Sequence, residues 1–383
     1  MGSFPSPPRP VSTLQPFAEY NSSCKSRVYV AFRYRDPQPS ESISIMIYSY
    51  DPSNNSWSLM TLIPGLIENH GLKDFAMVSI GDWIYIIGGR LFHQQRAQMA
   101  EDESNLSTEV DIEVLSSVLR YNVRTDQWSK CASLAIPRYD FACTVCEDKI
   151  YVAGGKSMLA SVTGVSSAEV YEPTTDEWTP LPNMSTLRYK CVAVTWQGKI
   201  HVVGGFALKA DSDCTRPYNF MAERSSAEVY DTRAREWDLV RGMWQLDVPP
   251  NQIVAVDGKL LSSGDCLKVW KGHIEAYDWE QNIWNEVDGS RLWSLNSPIS
   301  NDSNHDYNRG IVQQLYLTIA PIGTSLYFLA GYRMDGGDLP RTKSIVHKFD
   351  TSATSNAWAS FEPMEEDGEK VLCSHCCIVH LSD

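Results

Sequence analysis

Short apolar runs separated by polar turns follow one another along almost the whole chain. Six of these runs are rich in β-branched and aromatic residues, and most end in small residues: RVYVAFR (27–33), WIYIIGG (83–89), KIYVAGG (149–155), KIHVVGG (199–205), KLLSSGD (259–265) and SLYFLAG (325–331). A further apolar run stands directly before five of them: DFAMVSI (74–80), FACTVCE (141–147), CVAVTWQ (191–197), NQIVAVD (251–257) and LYLTIAP (315–321). Runs of this length between turn residues predict buried β-strands that are paired through tight turns.

An aromatic residue followed seven positions later by Trp marks the second half of each unit. A sixth copy, Phe349/Trp358, has a turn two residues longer. The five copies with identical spacing are Tyr50/Trp57, Tyr121/Trp128, Tyr171/Trp178, Tyr230/Trp237 and Tyr277/Trp284. Each unit therefore holds about four strands, and the units repeat every 47 to 72 residues or so. Such periods are typical of propeller blades and exclude coiled coils and helical solenoids.

The first unit lacks one strand. It begins directly with the run at Arg27, whereas the chain ends in an unmatched apolar run, HCCIVHL (375–381). A twisted four-stranded sheet with two apolar faces needs a neighbour on each side to be stable. We therefore predict an all-β, six-bladed propeller whose ring is closed by the C-terminal strand pairing in the first blade.

Three recurring elements resemble the kelch repeat family. They are the strand ending in Gly-Gly, the AEVY segment followed by Trp, and the Arg-aromatic openings RYDFACTV (138–145) and RYKCVAV (188–194). The resemblance covers residues 25–383 and is closest from Phe75 to Trp237, while the outer units are degenerate. It implies one six-bladed kelch propeller at 25–383. The Pro-rich segment 1–24 before it is expected to be a mobile tail.

The resemblance also implies a face that binds peptides or partner proteins. Kelch propellers often serve as substrate receptors of ubiquitin ligases, with an F-box or BTB domain beside them. Only about 25 residues precede the first blade, so we expect neither domain within this sequence. Any ligase role would then need a separate chain.

Composition and charge narrow the classes of partner. With 383 residues, 43% of them hydrophobic and 21% charged, the chain has the composition of an ordinary globular protein. A formal charge of −14 argues against nucleic acid and anionic membranes as partners. No apolar segment approaches the roughly 18 to 20 residues that span a bilayer. Ten cysteines without a signal peptide indicate reduced thiols, so a cytoplasmic or nuclear protein is expected.

Loops that follow the second strand of a unit and loops that precede the first strand emerge on the same face of a propeller. In this acidic chain they are rich in Arg and Tyr, which suit planar contacts with carboxylates. The first hypothesis is therefore a binding module for a partner protein with an acidic segment, or for a small anionic molecule. Its expected ligand-binding residues are Arg33, Arg35, Arg90, Arg138, Arg188, Arg309, Tyr332 and Arg333.

Two further points concern this face. Arg138 and Arg188 can equally serve the fold by pairing with blade carboxylates or loop carbonyls. The acidic insertion at 90–113 is expected to project as a solvated flap, and the insertions at 206–226 and 286–314 could roof the channel mouth.

The second hypothesis is a small-molecule enzyme, of the cyclase, isomerase or lyase type, that acts without a cofactor. The sequence has no nucleophile elbow, phosphate loop or dinucleotide fingerprint, so no cofactor is expected. A pocket under the long loops could still run acid and base steps. The candidate catalytic residues are Tyr139, Asp140, Tyr189, His305 and Tyr307.

No metal site is expected. Cys143 and Cys146 have zinc-like spacing, but an offset of three along a strand places them on opposite faces. Cys373, His375 and Cys377 alternate and would share a face, and burial of the closing strand explains them without a metal.

Overall fold

The computed structural model describes residues 25–35, 43–96, 107–209, 223–246, 248–266, 269–287, 313–334, 340–353 and 357–381. Regular structure in these ranges consists of β-strands, and all the strand pairs are antiparallel. In the described part of the chain, no helix has the length and apolar character to cross a bilayer.

Six sheets, called blades I to VI here, make up the propeller. Blade VI carries a fifth strand, and every other blade has four. Blade I contains β30 (Lys370–Leu381), β1 (Lys25–Tyr34), β2 (Met46–Asp51) and β3 (Ser56–Leu62), and blade II contains β5 (Ala76–Ile80), β6 (Trp83–Ile87), β9 (Val118–Asn122) and β10 (Gln127–Cys131). Blade III contains β11 (Ala142–Cys146), β12 (Lys149–Ala153), β13 (Ala168–Glu172) and β14 (Glu177–Leu181), and blade IV contains β16 (Val192–Trp196), β17 (Lys199–Val203), β19 (Ala227–Asp231) and β20 (Glu236–Val240). Blade V contains β21 (Ile253–Val256), β22 (Lys259–Ser262), β23 (Glu275–Asp278) and β24 (Ile283–Glu286), and blade VI contains β25 (Gln314–Ile322), β26 (Ser325–Met334), β27 (Arg341–Asp350), β28 (Trp358–Ser360) and β29 (Met364–Asp367).

Six apolar clusters lie between the blades, and each is shared by two consecutive ones. Tyr29 of blade I packs with Ile84 of blade II, and the same arrangement recurs at the following junctions. The sixth cluster joins Leu329 in blade VI to Val28 in blade I. Every blade therefore buries both of its faces against neighbours, which is the packing that the repeat pattern predicts.

The predicted aromatic pairs face each other across the two outer strands of each blade. In all six blades the Tyr or Phe lies directly opposite the Trp, with ring centroids 4.9 to 5.2 Å apart. The Trp also ties its blade to the preceding one, because its indole N–H donates across the junction. Trp178 Nε1 donates to Ala132 O at 2.9 Å, and Trp237 Nε1 donates to Pro182 O at 2.8 Å.

The turn of these hairpins explains their fixed length. Asp126 and Asp176 adopt the left-handed conformation that Asp and Asn tolerate, with φ of 55° and 53°. Their carboxylates accept hydrogen bonds from Tyr121 and Tyr171, five residues earlier, at 2.9 and 2.7 Å. The same bond recurs between Tyr277 and an Asn. A turn of the same length therefore satisfies a buried phenol in several blades.

The C-terminal strand lies where the missing first strand was predicted. β30 pairs with β1 from Lys25↔Leu381 to Tyr34↔Lys370, and Val28 lies opposite Ile378. Two register shifts interrupt the ladder on either side of Ala31. Both ends of the described chain thus belong to blade I.

Two further small sheets lie on the loops, and the sequence pattern did not predict either of them. A three-stranded sheet contains β4 (His70–Lys73), β7 (Arg90–Arg96) and β8 (Ser107–Val114), and a two-stranded sheet contains β15 (Thr186–Tyr189) and β18 (Phe206–Lys209). The described part of the segment 90–113 forms two paired strands, and β7 also pairs with β4. Most of β8 is exposed, as the predicted solvated flap would be, and residues 97–106 lie outside the described ranges. Most of the two other long insertions lies outside the described residues.

Candidate functional site

The candidate site is one face of the propeller, around the mouth of the central channel. The loop between β6 and β9 emerges on this face, as do the equivalent loops of the other blades. The channel encloses about 840 Å³ between the inner strands. At one end its lining includes Asp74, Asp140, Lys190 and Cys266. His375 lines the channel itself.

Arg138 and Arg188 serve the fold, and their prediction as ligand-binding residues was wrong. Both are fully buried. Arg138 pairs with Glu169 at 2.7 Å and also donates to Gly154 O. Arg188 donates to Gly204 O at 2.6 Å and to the Ser226 carbonyl and hydroxyl. Both guanidinium groups are enclosed inside the blades and make these contacts there, although Arg138 Nε has no hydrogen-bond partner, so a ligand in the channel does not reach them.

The same arginines explain the paired glycines of the repeat. The Arg138 carbonyl accepts a hydrogen bond of 2.7 Å from Gly89 N in the preceding blade. A Cβ at Gly88, whose φ is 60°, would lie 2.6 Å from that carbonyl oxygen. The contact recurs one blade on, where a Cβ at Gly154 would lie 2.5 Å from Arg188 O. A side chain at either glycine would push the two blades apart.

Arg33 and Arg90 are neutralised by the β7–β8 hairpin and its surroundings. Glu109 accepts from Arg33 Nη2 at 2.5 Å and from Lys73 Nζ at 2.9 Å. Asp111 accepts from Arg90 Nη1 at 2.5 Å. Burial alone would raise the pKa of Glu109, but the hydrogen bonds and charges of Lys73 and Arg33 lower this pKa below its usual value. This part of the face is a network of ion pairs, so Arg33 and Arg90, which were predicted to bind a ligand, already pair with carboxylates of the protein.

Arg35 and Arg333 differ from the other rim arginines in their exposure. Their guanidinium groups lie 3.2 and 3.6 Å from the two carboxylate oxygens of Glu369. The Arg side chains are 49% and 39% exposed, whereas the Glu369 side chain is 6% exposed. Two partly exposed cations therefore converge on one buried carboxylate.

The remaining predicted ligand residues lie elsewhere. Tyr332 is 3% exposed within the core between blades V and VI, and burial raises its pKa to about 12. It does not reach the face, so its prediction as a ligand-binding residue was wrong. Arg309 lies outside the described residues.

The candidate catalytic residues are not gathered in one pocket. Tyr139 is buried beneath Arg90, whose guanidinium lies 4.7 Å from the ring centroid. Tyr189 stacks on Phe206 and is covered by the Lys156 ammonium at 4.2 Å. Asp140 lines the channel, whereas neither of these rings does. The two other candidates, His305 and Tyr307, lie outside the described residues.

Asp140 nevertheless has an unusual electrostatic environment. Burial and the neighbouring Asp74 carboxylate raise the pKa of Asp140 to about 6, although Lys190, Arg90 and Lys156 oppose the shift. An Asp in the unfolded chain titrates near pH 4. The folded protein therefore holds this proton more tightly than the unfolded chain does, so stability falls as the pH rises from about 4 to about 6.

We expect Asp140→Asn to be more stable than the wild type at pH 7.5 by roughly 2 kcal/mol, and to match it near pH 4. The backbone φ of 53° suits Asn, so the substitution adds no strain. The measurement is urea unfolding at several pH values. Asp148→Asn, at an exposed turn with a φ of 55°, is the control and should show no such trend. A stability gain in Asp140→Asn that does not depend on pH would contradict the assignment.

The cysteines take part in packing. Cys143 packs between blades II and III and Cys146 between blades III and IV, so the predicted placement on opposite faces is confirmed. Cys373 and Cys377 are buried between blades I and II. Among the described residues, no group of three or more His, Cys, Asp or Glu side chains could hold a metal ion.

Sequence reasoning missed the carboxylates that pair with the rim arginines. Glu109 and Asp111 belong to the segment STEVDIEV (107–114), which was assigned to a flap because it is acidic. Its alternation of acidic and β-branched residues was a strand signal. Glu369 follows a Gly in a short turn and had no signal in the sequence.

Comparison with known proteins supports the same architecture. Models of the kelch motif match residues 71–135, 137–185 and 188–243, which contain blades II, III and IV. An F-box/kelch-repeat protein of Arabidopsis thaliana is 30% identical over 122 residues, 32% of this chain and 29% of that protein. Kelch-like protein 36 of Bos taurus is 30% identical over 115 residues, 30% of this chain and 15% of that protein. Each match thus covers less than a third of the relative. The chain thus carries kelch motifs in blades II to IV, and the other blades repeat the same strand order.

Proposed function

We propose that this chain is a kelch-type binding module that recognises an acidic segment of a partner protein at the junction of blades VI and I. The observation that carries the proposal is the convergence of Arg35 and Arg333 on Glu369. The Arg35 guanidinium is 49% exposed beside this carboxylate, so its outward N–H groups can reach a carboxylate from outside.

The surroundings of Glu369 support a rigid site. Its carbonyl accepts a hydrogen bond of 2.8 Å from Arg35 N. On either side, Gly368 O accepts from Thr342 Oγ1 at 2.7 Å, and Lys370 N donates to the same hydroxyl at 2.9 Å. A cationic site held in place in this way loses little conformational freedom when a partner binds.

The kelch motifs and the kelch-like relatives support a protein-binding role in general. Two of the similar proteins combine kelch repeats with an F-box, as their names state. The small-molecule enzyme hypothesis gains no comparable support, since its described candidates are covered or dispersed.

Charge reversal tests the proposal. We expect Arg35→Glu with Arg333→Glu to weaken binding of a labelled acidic dodecapeptide at least tenfold, measured by fluorescence anisotropy. The peptide would be selected from a displayed random library on the wild-type protein. Because the contact is electrostatic and exposed, the wild-type affinity should also fall as salt rises from 50 to 300 mM.

A matched control reverses two exposed arginines on the opposite face. Arg124 and Arg233 lie in the turns between the third and fourth strands of blades II and IV. Arg124→Glu with Arg233→Glu makes the same change in net charge and should leave the affinity within twofold of the wild type. Equal loss in both double variants, or selection of peptides without acidic enrichment, would count against the proposal.

A further inference from the structure

Two histidines face each other on the small sheet β4-β7-β8. His70 on β4 lies directly opposite His93 on β7, and the centroids of the two imidazole rings are 5.0 Å apart. Both residues are partly exposed. The sequence did not reveal this pair, because it did not predict the sheet that brings the two residues together.

The pair lies on the outer face of the sheet, away from the propeller core. Phe92, the neighbour of His93 on β7, is completely buried. Successive side chains of a strand point to opposite faces, so His93 points outward. On its other side His93 lies opposite Val110 of β8, which is 45% exposed. Two imidazoles on such a face add little to the packing, but they bring together ring nitrogens that can bind a ligand.

The tautomer of His70 suits a metal ligand. His70 Nδ1 lies 2.8 Å from the Glu68 carbonyl oxygen. A carbonyl oxygen only accepts, so Nδ1 carries the proton and the neutral ring has its lone pair on Nε2. Histidines that bind metals generally donate their other ring N–H to a backbone carbonyl or a carboxylate in this way.

The imidazole of His93 is open to a ligand. Within the described part of the chain it contacts the His70 ring and makes no hydrogen bond. Either of its nitrogens is therefore available to an incoming ion.

The distance between the rings matches two ligands of one ion. With metal–nitrogen bonds of about 2.0–2.1 Å and tetrahedral angles, the centroids of two coordinating imidazoles lie about 5 Å apart. The ring planes of His70 and His93 are inclined by 67°, in an edge-to-face arrangement. The outer torsion of a His side chain is broad, so rotation of the rings can direct a nitrogen of each at one point without moving the strands.

We propose that His70 and His93 form a binding site for a divalent transition metal ion of the nickel, copper and zinc class. Imidazole nitrogen favours these ions over Mg²⁺ and Ca²⁺, which prefer oxygen ligands. Among the residues that the structure describes, no third His, Cys, Asp or Glu completes a metal-binding group with the pair, so water fills the other positions. The formal charge of −14 favours a cation.

The bound ion would join β4, which lies before blade II, to the β7–β8 hairpin, which follows the second strand of that blade. An ion that binds only the folded sheet stabilises it against opening. This inference is independent of the acidic-segment proposal, because it involves neither Arg35 nor Arg333.

Nickel titration tests the site. The protein would be purified without a histidine tag, and Ni²⁺ or Mg²⁺ binding would be measured by isothermal titration calorimetry. We expect the wild type to bind one Ni²⁺ per chain and no Mg²⁺. His70→Gln and His93→Gln each remove one of the two protein ligands and should each weaken Ni²⁺ binding by roughly tenfold or more.

The matched control is His380→Gln, which removes a single exposed imidazole on β30 that bonds to Ser26. Its Ni²⁺ affinity should stay within about twofold of that of the wild type. Circular dichroism of the metal-free variants checks that each one folds. Saturating Ni²⁺ should raise the thermal midpoint of the wild type and of His380→Gln, and leave those of the His70 and His93 variants unchanged.

Three results would overturn the metal site. The first is a wild type that binds no Ni²⁺. The second is a His70→Gln or His93→Gln variant that binds Ni²⁺ as tightly as the wild type does. The third is an equal rise of the thermal midpoint with Ni²⁺ in the double variant His70→Gln with His93→Gln, which would assign the binding to other groups.

Discussion

A chain that ends at Glu369 is expected not to fold, because β30 supplies the innermost strand of blade I. Its removal would expose the inner edge of β1 and open the cores on both sides. Val379 of β30 is completely buried, and Cys373 and Cys377 of the same strand lie in the same apolar cluster. Each fully buried apolar side chain contributes about 1.5–3 kcal/mol, so the loss from three of them alone is comparable with the roughly 5–15 kcal/mol that typically stabilises a domain.

A circular permutant distinguishes loss of this strand from loss of chain length. Lys25 lies directly opposite Leu381, so a short turn can join residues 370–381 ahead of β1. We expect this permutant, which ends at Glu369, to fold with a thermal midpoint close to that of the wild type. The measurements are circular dichroism and thermal unfolding. A truncated chain that unfolds cooperatively at the wild-type temperature would contradict the assignment of β30.

Arg138→Met is expected to destabilise the protein by about 3–5 kcal/mol, because it leaves the buried carboxylate of Glu169 without its cation. The side chains are 0% and 3% exposed, so water cannot replace the lost partner. For a domain of this size the thermal midpoint should fall by roughly 4–7 °C. Urea and thermal unfolding measure the effect.

Arg124→Met is the control for this prediction. Arg124 also pairs with a carboxylate, Asp82 at 2.8 Å, but the two side chains are 44% and 34% exposed. Its removal should cost at most about 1 kcal/mol. The double variant Arg138→Met with Glu169→Leu should be more stable than Arg138→Met alone, since it removes the buried charge. Equal stability of the Arg138 and Arg124 variants would contradict a structural role for Arg138.

The strands of the propeller could be predicted because their signal is local. An apolar run such as KIYVAGG needs only its own residues to specify a buried strand, and the Tyr-turn-Trp hairpin carries both its aromatic pair and its turn residue. Even the missing strand of blade I could be predicted, since five units provided a template for the sixth. β30 is longer than expected, because it continues to Lys370 beside β1.

The candidate site could be predicted only in part, because its charges are decided by partners far away in sequence. Arg33 meets Glu109 across 76 residues, and a chain inspected for motifs does not reveal that pairing. Burial is equally hidden. Arg138 and Arg35 were both predicted to lie on loops of the same face, yet Arg138 is fully buried and Arg35 reaches solvent.

The shared membership of β1 and β30 in one sheet has a consequence for biosynthesis. β30 is translated after every other described strand, so blade I cannot be completed until all of those strands have been made. The apolar faces of blades II and VI that contact blade I must wait equally long. A nascent chain of this protein therefore needs protection from aggregation until its last strand emerges. A premature stop codon only a dozen codons before the end of that strand would leave every other described strand made and the ring of blades open.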